Sequence, residues 1–304
     1  MRMSRNGGGL TRRDLFVAGA LAGAGGMAAP GAAAAVRPAA NLRDRFWLWG
    51  HAAGSHNGEY GLPADSRITP VEAAYYMSIP NIILVRYKGK PEPPFDQYAL
   101  PFASLREVVW SVVGAGGATE TAEREMVLRM AEQKPNFTGV DMDDFFRDKS
   151  KDGRIAALTV ADLEQLQKRL KGGRKKLDLW VTLYTHQLDD PIQEHLKYCD
   201  VVTLWTWKAA DLAQLEANFE KAVKLTPNSR KVLGCYMWDY GTHQPIPVAA
   251  MEQQCEQGLK WLEAGRIDGM IFLASCICDL GLEAVEWSRR WIRKTGGRKL
   301  GKQS

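Results

Sequence analysis

Three carboxylates crowd the carboxyl end of one apolar run, Phe137-Thr-Gly-Val-Asp-Met-Asp-Asp-Phe-Phe146, at Asp141, Asp143 and Asp144. The rest of that run reads as a buried β-strand, where unpaired charge is costly, so acids kept there are candidates for chemistry. Side chains alternate along a strand, which places Asp141 and Asp143 on one face and Val140 and Met142 on the other. Carboxyl groups that close together cannot both ionise freely; one is expected to have a raised pKa or to be held by Arg86, a lysine or a hydrogen bond. Asp144 begins the following loop and is best placed to reach a ligand.

Such a strand must belong to a larger array. Eight β-type runs can be counted, Phe46–Gly50, Asn81–Tyr87, Glu107–Val113, Gly139–Asp143, Leu179–Tyr184, Val201–Trp205, Val232–Met237 and Gly269–Ala274. They alternate with helical patterns, clearest at Thr121–Gln133, Thr159–Leu170, Ala209–Leu225, Val248–Ala264 and Leu282–Ile292, with Thr121, Thr159 and Pro247 as start signals. Apolar strands buried on both faces, each followed by a crossover, predict an α/β fold, a (β/α)8 TIM barrel spanning residues 46–293 as a single domain. An open, doubly wound sheet is the alternative. The Lys88–Phe102 segment, with four prolines, reads as a long loop beside the mouth.

In such barrels the chemistry sits at the carboxyl ends of the strands. Those ends carry Trp49 and His51, Arg86 and Tyr87, Trp110 and Ser111, the three aspartates, Tyr184 and His186, Trp205, Trp207 and Lys208, Tyr236, Asp239 and Tyr240, and Ser275 with Asp279. Aromatic faces stack on sugar rings while acids, Arg, His and Tyr bond hydroxyls, so the mixture suits a carbohydrate cleft. Trp49, His51, Arg86, Tyr184, His186, Trp205, Trp207, Tyr236 and Asp279 are the expected substrate-binding set. Each also has a structural explanation, as rim packing for a tryptophan or as a hydrogen-bonded scaffold residue for a histidine.

The first 35 residues stand apart. Thr11-Arg12-Arg13-Asp14-Leu15-Phe16 precedes an Ala/Gly-rich apolar stretch ending in Ala32–Ala35, the pattern of a twin-arginine export signal. The expectation is a periplasmic or secreted protein that meets the twin-arginine export machinery and has no stable membrane anchor, since too few strongly apolar residues occur together to span a bilayer. Residues 36–45 read as a linker and 294–304 as a basic, solvated tail. Losing Arg2, Arg5, Arg12, Arg13 and Asp14 with the leader lowers the formal charge from +5 to +2, which implies no nucleic acid partner. Five cysteines at 199, 235, 255, 276 and 278 show no zinc or redox spacing and read as buried thiols.

Gly139-Val-Asp-Met-Asp-Asp-Phe145 resembles the strand-four signature of the family 18 glycoside hydrolases, the chitinase-like barrels, where Gly-x-Asp-x-Asp is followed by one residue and then a catalytic glutamate. That position is Phe145 here. A looser similarity is to barrel glycosidases whose nucleophile is an aspartate at the end of strand four, matching Asp143 or Asp144. The resemblance covers about ten residues and implies a hydrolase acting on a poly- or oligosaccharide without a cofactor.

Glycosidic hydrolysis needs a protonated and an ionised carboxyl across the scissile bond. Asp141, Asp143 and Asp144 supply candidates for one, and Asp239 is the expected second, ahead of Asp279 and Glu59. A metal-dependent sugar isomerase or hydrolase built from His51, Asp141, His186 and Asp279 is an alternative, as is a carbohydrate-binding pseudoenzyme, given Phe145. Gly114-Ala-Gly-Gly-Ala-Thr119 lacks the third glycine of a dinucleotide fingerprint and reads as a strand-to-helix turn.

Overall fold

The computed structural model describes residues 40–147 and 153–300; the expected export signal at residues 1–35 lies outside them. Eight parallel strands close into one barrel in chain order: β1 Phe46–Gly50, β2 Asn81–Leu84, β3 Glu107–Val113, β4 Phe137–Met142, β5 Asp178–Tyr184, β6 Val201–Trp205, β7 Arg230–Tyr236 and β8 Gly269–Leu273. β1 pairs with both β2 and β8, which closes the cylinder and removes every sheet edge. The (β/α)8 expectation holds.

Helices cover the outside, α1 Pro70–Met77, α2 Phe95–Tyr98, α3 Thr121–Gln133, α4 Val160–Gly172, α5 Gln193–Leu196, α6 Leu215–Leu225, α7 Val248–Glu263 and α8 Glu283–Thr295. Local chemistry sets where two of them start. Thr69 and Glu72 form a reciprocal capping box at α1, and Thr159 and Asp162 repeat it at α4, each satisfying backbone donors that helix geometry leaves bare. The crossovers after β2 and β5 carry no long helix, but the single-turn helices α2 and α5 and short 3-10 turns at Pro101–Ser104 and Thr185–Gln187. The proline-rich segment after β2 turns outward, where Phe95 and Phe102 pack on Trp110. Trp110 therefore belongs to the outer layer between sheet and helices.

The segments expected to be a linker and a free tail instead meet each other. The amides of Leu42 and Arg43 donate to the carbonyls of Arg298 and Gly296, and Asn41 bridges Lys299. Backbone groups on both pieces are satisfied this way, and the pairing lies at the amino-terminal end of β1.

Four tryptophans fill the barrel interior. Trp47 meets Trp180 with ring centroids 4.9 Å apart; Trp49, two residues further along β1, meets Trp205 at 5.1 Å. Rings this large fit only because neighbouring strands give up their side chains. A Cβ on Gly234 would lie 2.1 Å from the Trp205 indole, and one on Gly139 2.9 Å from the Trp180 nitrogen. All five cysteines are buried free thiols.

This packing generates a first prediction. Gly234→Ala drives a methyl into Trp205 and is expected to cost about 1–3 kcal/mol in urea unfolding. Gly172→Ala, at a helical site with nothing within 4 Å of the new Cβ, is expected to be neutral or stabilising by up to about 1 kcal/mol.

Candidate functional site

Strand four enters the barrel with its expected alternation. Asp141 pairs in register with Ser111 on β3 and Trp180 on β5, and lies wholly buried beneath the mouth. Neither of its carboxyl oxygens has a hydrogen-bond partner. Burial pushes its pKa up to about 8, with Asp144 adding to the shift and the nearby Met142 amide acting in the opposite sense.

Above it, β3 and β4 slip in register between Ser111 and Val113, and the Asp143 amide then donates to the Val113 carbonyl at 2.9 Å. Asp143 is 5% exposed. Burial, then the charges of Asp144 and Asp141, hold its carboxyl well above the usual range, while the neighbouring Thr182 hydroxyl acts in the opposite sense.

Asp144 breaks the strand. Its φ of +43° is left-handed, so the chain turns and Asp143 and Asp144, adjacent in sequence, line the same pocket. The Tyr184 hydroxyl and the Gly116 amide each donate to one Asp144 oxygen at 2.7 Å, the pattern of a carboxylate. Gly117 must stay small here, since a Cβ on it would come 2.9 Å from the Asp144 carbonyl. The same turn sends Phe145 outward into a buried cluster with Phe146 and His195. The position matching the chitinase acid thus faces the shell of the barrel.

The pocket over these acids is walled by rings. Trp49 and Trp205 lie at its floor, 2% and 1% exposed, and Trp207, Tyr184, Tyr236 and Tyr240 stand around it. Trp207 meets Tyr184 and Tyr236 edge-on at 5.6 and 5.7 Å. His51 also lines it, yet both its nitrogens are occupied: Nδ1 donates to the Val85 carbonyl at 2.9 Å and Nε2 accepts the Trp49 N–H at 3.2 Å. Burial lowers its pKa to about 4, so the ring is neutral at physiological pH. An adjoining cleft of about 850 Å³ shares Tyr60, Tyr87, Ala115 and Asp144 with the pocket and runs over the Gly114–Thr119 turn.

Other expected site residues do different work. Arg86 pairs with Glu123 and donates to the Pro91 and Gly89 carbonyls, so it reaches the cleft wall and neutralises none of the strand-four acids. Asp239 accepts from the Gly241, Thr242 and Ala209 amides, all at 3.0 Å, and fastens the turn after β7 outside the pocket. Asp279 accepts from the Ser66 hydroxyl at 2.6 Å and from the amides of Arg67 and Ile68, pinning the loop before α1. His186 is exposed and stacks on Tyr184, with centroids 5.4 Å apart. The four residues of the metal alternative are accordingly dispersed, and no group of three or more potential ligands occurs among the described residues.

His56, Tyr60 and Thr182 join the pocket although strand-end reading did not select them. Thr182 was detectable, lying two residues before Tyr184 on the same strand face. His56 and Tyr60 sit in the loop after β1, where no periodicity operates. Their only signal is aromatic content close to a strand end.

No protein-family model matches the chain, and no curated protein does. Its fold resembles several solved structures. One is the spore cortex-lytic enzyme SleL of Bacillus megaterium QM B1551, at TM-score 0.53 and 12% identity over 86% of this chain and 75% of that one. Another is active domain 2 of a thermostable chitinase from Pyrococcus furiosus, at 0.50 and 14% over 77% and 85%. A family GH18 chitinase from Cycas revoluta matches at 0.51 and 10% over 80% and 98%. At such identities the likeness is one of fold, a barrel of the kind on which these hydrolases are built.

Asp141 makes the second prediction. Its folded pKa, pushed up to about 8, exceeds the unfolded value of about 4. Between those values the folded state binds the extra proton, and stability falls as pH rises. Asp141→Asn, which keeps the shape and removes the titration, is expected to gain about 2–4 kcal/mol at pH 7 and little below pH 4 in urea unfolding.

Proposed function

We propose that the chain is a glycoside hydrolase in which Asp143 and Asp144 act as a pair. The observation that carries this reading is the left-handed turn at Asp144, which presents both carboxyls to one aromatic pocket in two different environments. Asp143, buried and raised in pKa, is suited to hold a proton near neutral pH and give it to the leaving oxygen. Asp144, oriented by Tyr184 and Gly116, is suited to face the positive charge that develops on the sugar ring as the bond breaks. Water then adds to the ring carbon and Asp143 recovers its proton. Asp239 takes no part, because its oxygens are committed to the β7 turn.

The saccharide has room in the adjoining cleft, and its reacting bond belongs at the junction, which Asp144 lines from both sides. The fold likeness to SleL and the two chitinases is consistent with this reading. Phe145 favours a second one, a binding protein without turnover.

Screening against a polysaccharide panel, with new reducing ends as readout, distinguishes the two. Activity is expected, reduced at least about 100-fold in Asp143→Asn and in Asp144→Asn. Because Asp143 must be protonated, kcat/KM is expected to fall on the alkaline side. Binding without cleavage by the parent, or full activity in both variants, would contradict the proposal.

A further inference from the structure

We propose that the aromatic pocket takes a cationic group, the free ammonium of an amino sugar, so that the substrate is a saccharide containing hexosamine without N-acetylation. This rests on the reading of the pocket as the sugar-binding subsite. Three observations carry it: the pocket's charge, its donors and its size.

Asp143 and Asp144 are the acidic groups that line the pocket, and no Arg, Lys, Asn or Gln is among its described lining residues. The cations that line the adjoining cleft are Arg86, paired with Glu123, Lys88, paired with Glu59 at 2.5 Å, Arg147, which donates to the Gly117 carbonyl at 2.6 Å, and Arg154. His51 is fixed as neutral imidazole by the Val85 carbonyl and the Trp49 N–H. With Asp143 holding its proton, the pocket's charge rests on Asp144, and no Arg or Lys lines the pocket beside it.

A neutral sugar is normally gripped by hydroxyl-directed donors, and here four tyrosine hydroxyls are already engaged, while that of Thr182 has no hydrogen-bond partner. The Tyr184 hydroxyl donates to Asp144, and the Tyr87 hydroxyl to Glu59 at 2.5 Å. Tyr60 shares its hydroxyl with Tyr87 at 2.8 Å, and Tyr240 meets His56 at 3.2 Å. Beside the Thr182 hydroxyl, what remains available is ring faces and carboxyl oxygen, the combination that recognises an organic cation.

Size agrees. The cavity is about 60 Å³, several times the roughly 10–15 Å³ that one water needs, so it admits a headgroup while the sugar chain lies in the cleft. Trp207, half-buried between Tyr184 and Tyr236, is the ring placed to meet the charge.

The test has two arms. In the first, tetramethylammonium chloride is titrated at constant ionic strength while tryptophan fluorescence is read, with tert-butanol as the uncharged control. Saturable quenching by the cation alone is expected, weakened at least about 10-fold in Asp144→Asn and Trp207→Leu but less than about 3-fold in Trp207→Phe, which keeps a ring and controls for folding. In the second arm, hydrolysis of glucosamine oligomers is compared with that of N-acetylglucosamine oligomers and of uncharged glucose oligomers of equal length. At least about 10-fold preference for the free-amine series is expected. Cleavage of N-acetylated or uncharged oligomers with no tetramethylammonium binding overturns the cation inference and leaves the hydrolase reading standing. Cation binding with no cleavage of any series supports the cation site and overturns the hydrolase reading.

Discussion

The site depends on keeping carboxyl groups out of water. Moving an ionised acid into a packed protein interior is costly enough that the group keeps its proton instead. In this barrel the expulsion of water is mechanical. Trp47, Trp180, Trp49 and Trp205 occupy the interior, and Gly139 and Gly234 provide the space those rings need. Neither Asp141 carboxyl oxygen then has a hydrogen-bond partner, and Asp143 stays buried at the pocket. A proton-holding acid at neutral pH is thus a consequence of core packing more than of any single neighbour.

Contrast within the acidic run comes from one backbone turn. Had the strand continued regularly, Asp144 would have pointed toward the helices and Phe145 into the barrel. The left-handed residue exchanges those roles. It sets a carboxyl that accepts two hydrogen bonds directly beside one that is desolvated. The chain departs here from the chitinase-like signature in geometry as well as in residue type, because Phe145 packs into the shell of the barrel.

The barrel was legible because parallel strands buried on both faces leave long apolar runs at regular spacing, and seven of the eight strand estimates lie within two residues of the observed ends at each terminus. β2 was overextended to Tyr87 because Val85 and Tyr87 look like strand residues, although the strand ends at Leu84 and Tyr87 already lines the pocket. Strand-end reading found the height of the site but not its wiring. Asp239 and Asp279 stand at the right level, yet their oxygens are taken, those of Asp239 by its own turn and Ala209, those of Asp279 by residues more than 200 positions away. Such pairings depend on loop paths, which carry no period. His56 and Tyr60 were invisible for the same reason, and the Asp144 turn because aspartate tolerates both extended and left-handed backbone.

If packing holds the acids protonated, infrared spectroscopy reports it without any substrate. At pH 7 the folded protein is expected to show protonated-carboxyl absorption with two components, one lost in Asp141→Asn and the other in Asp143→Asn, and both lost on unfolding. Absence of protonated-carboxyl absorption above pH 5 in the folded parent protein would contradict the account.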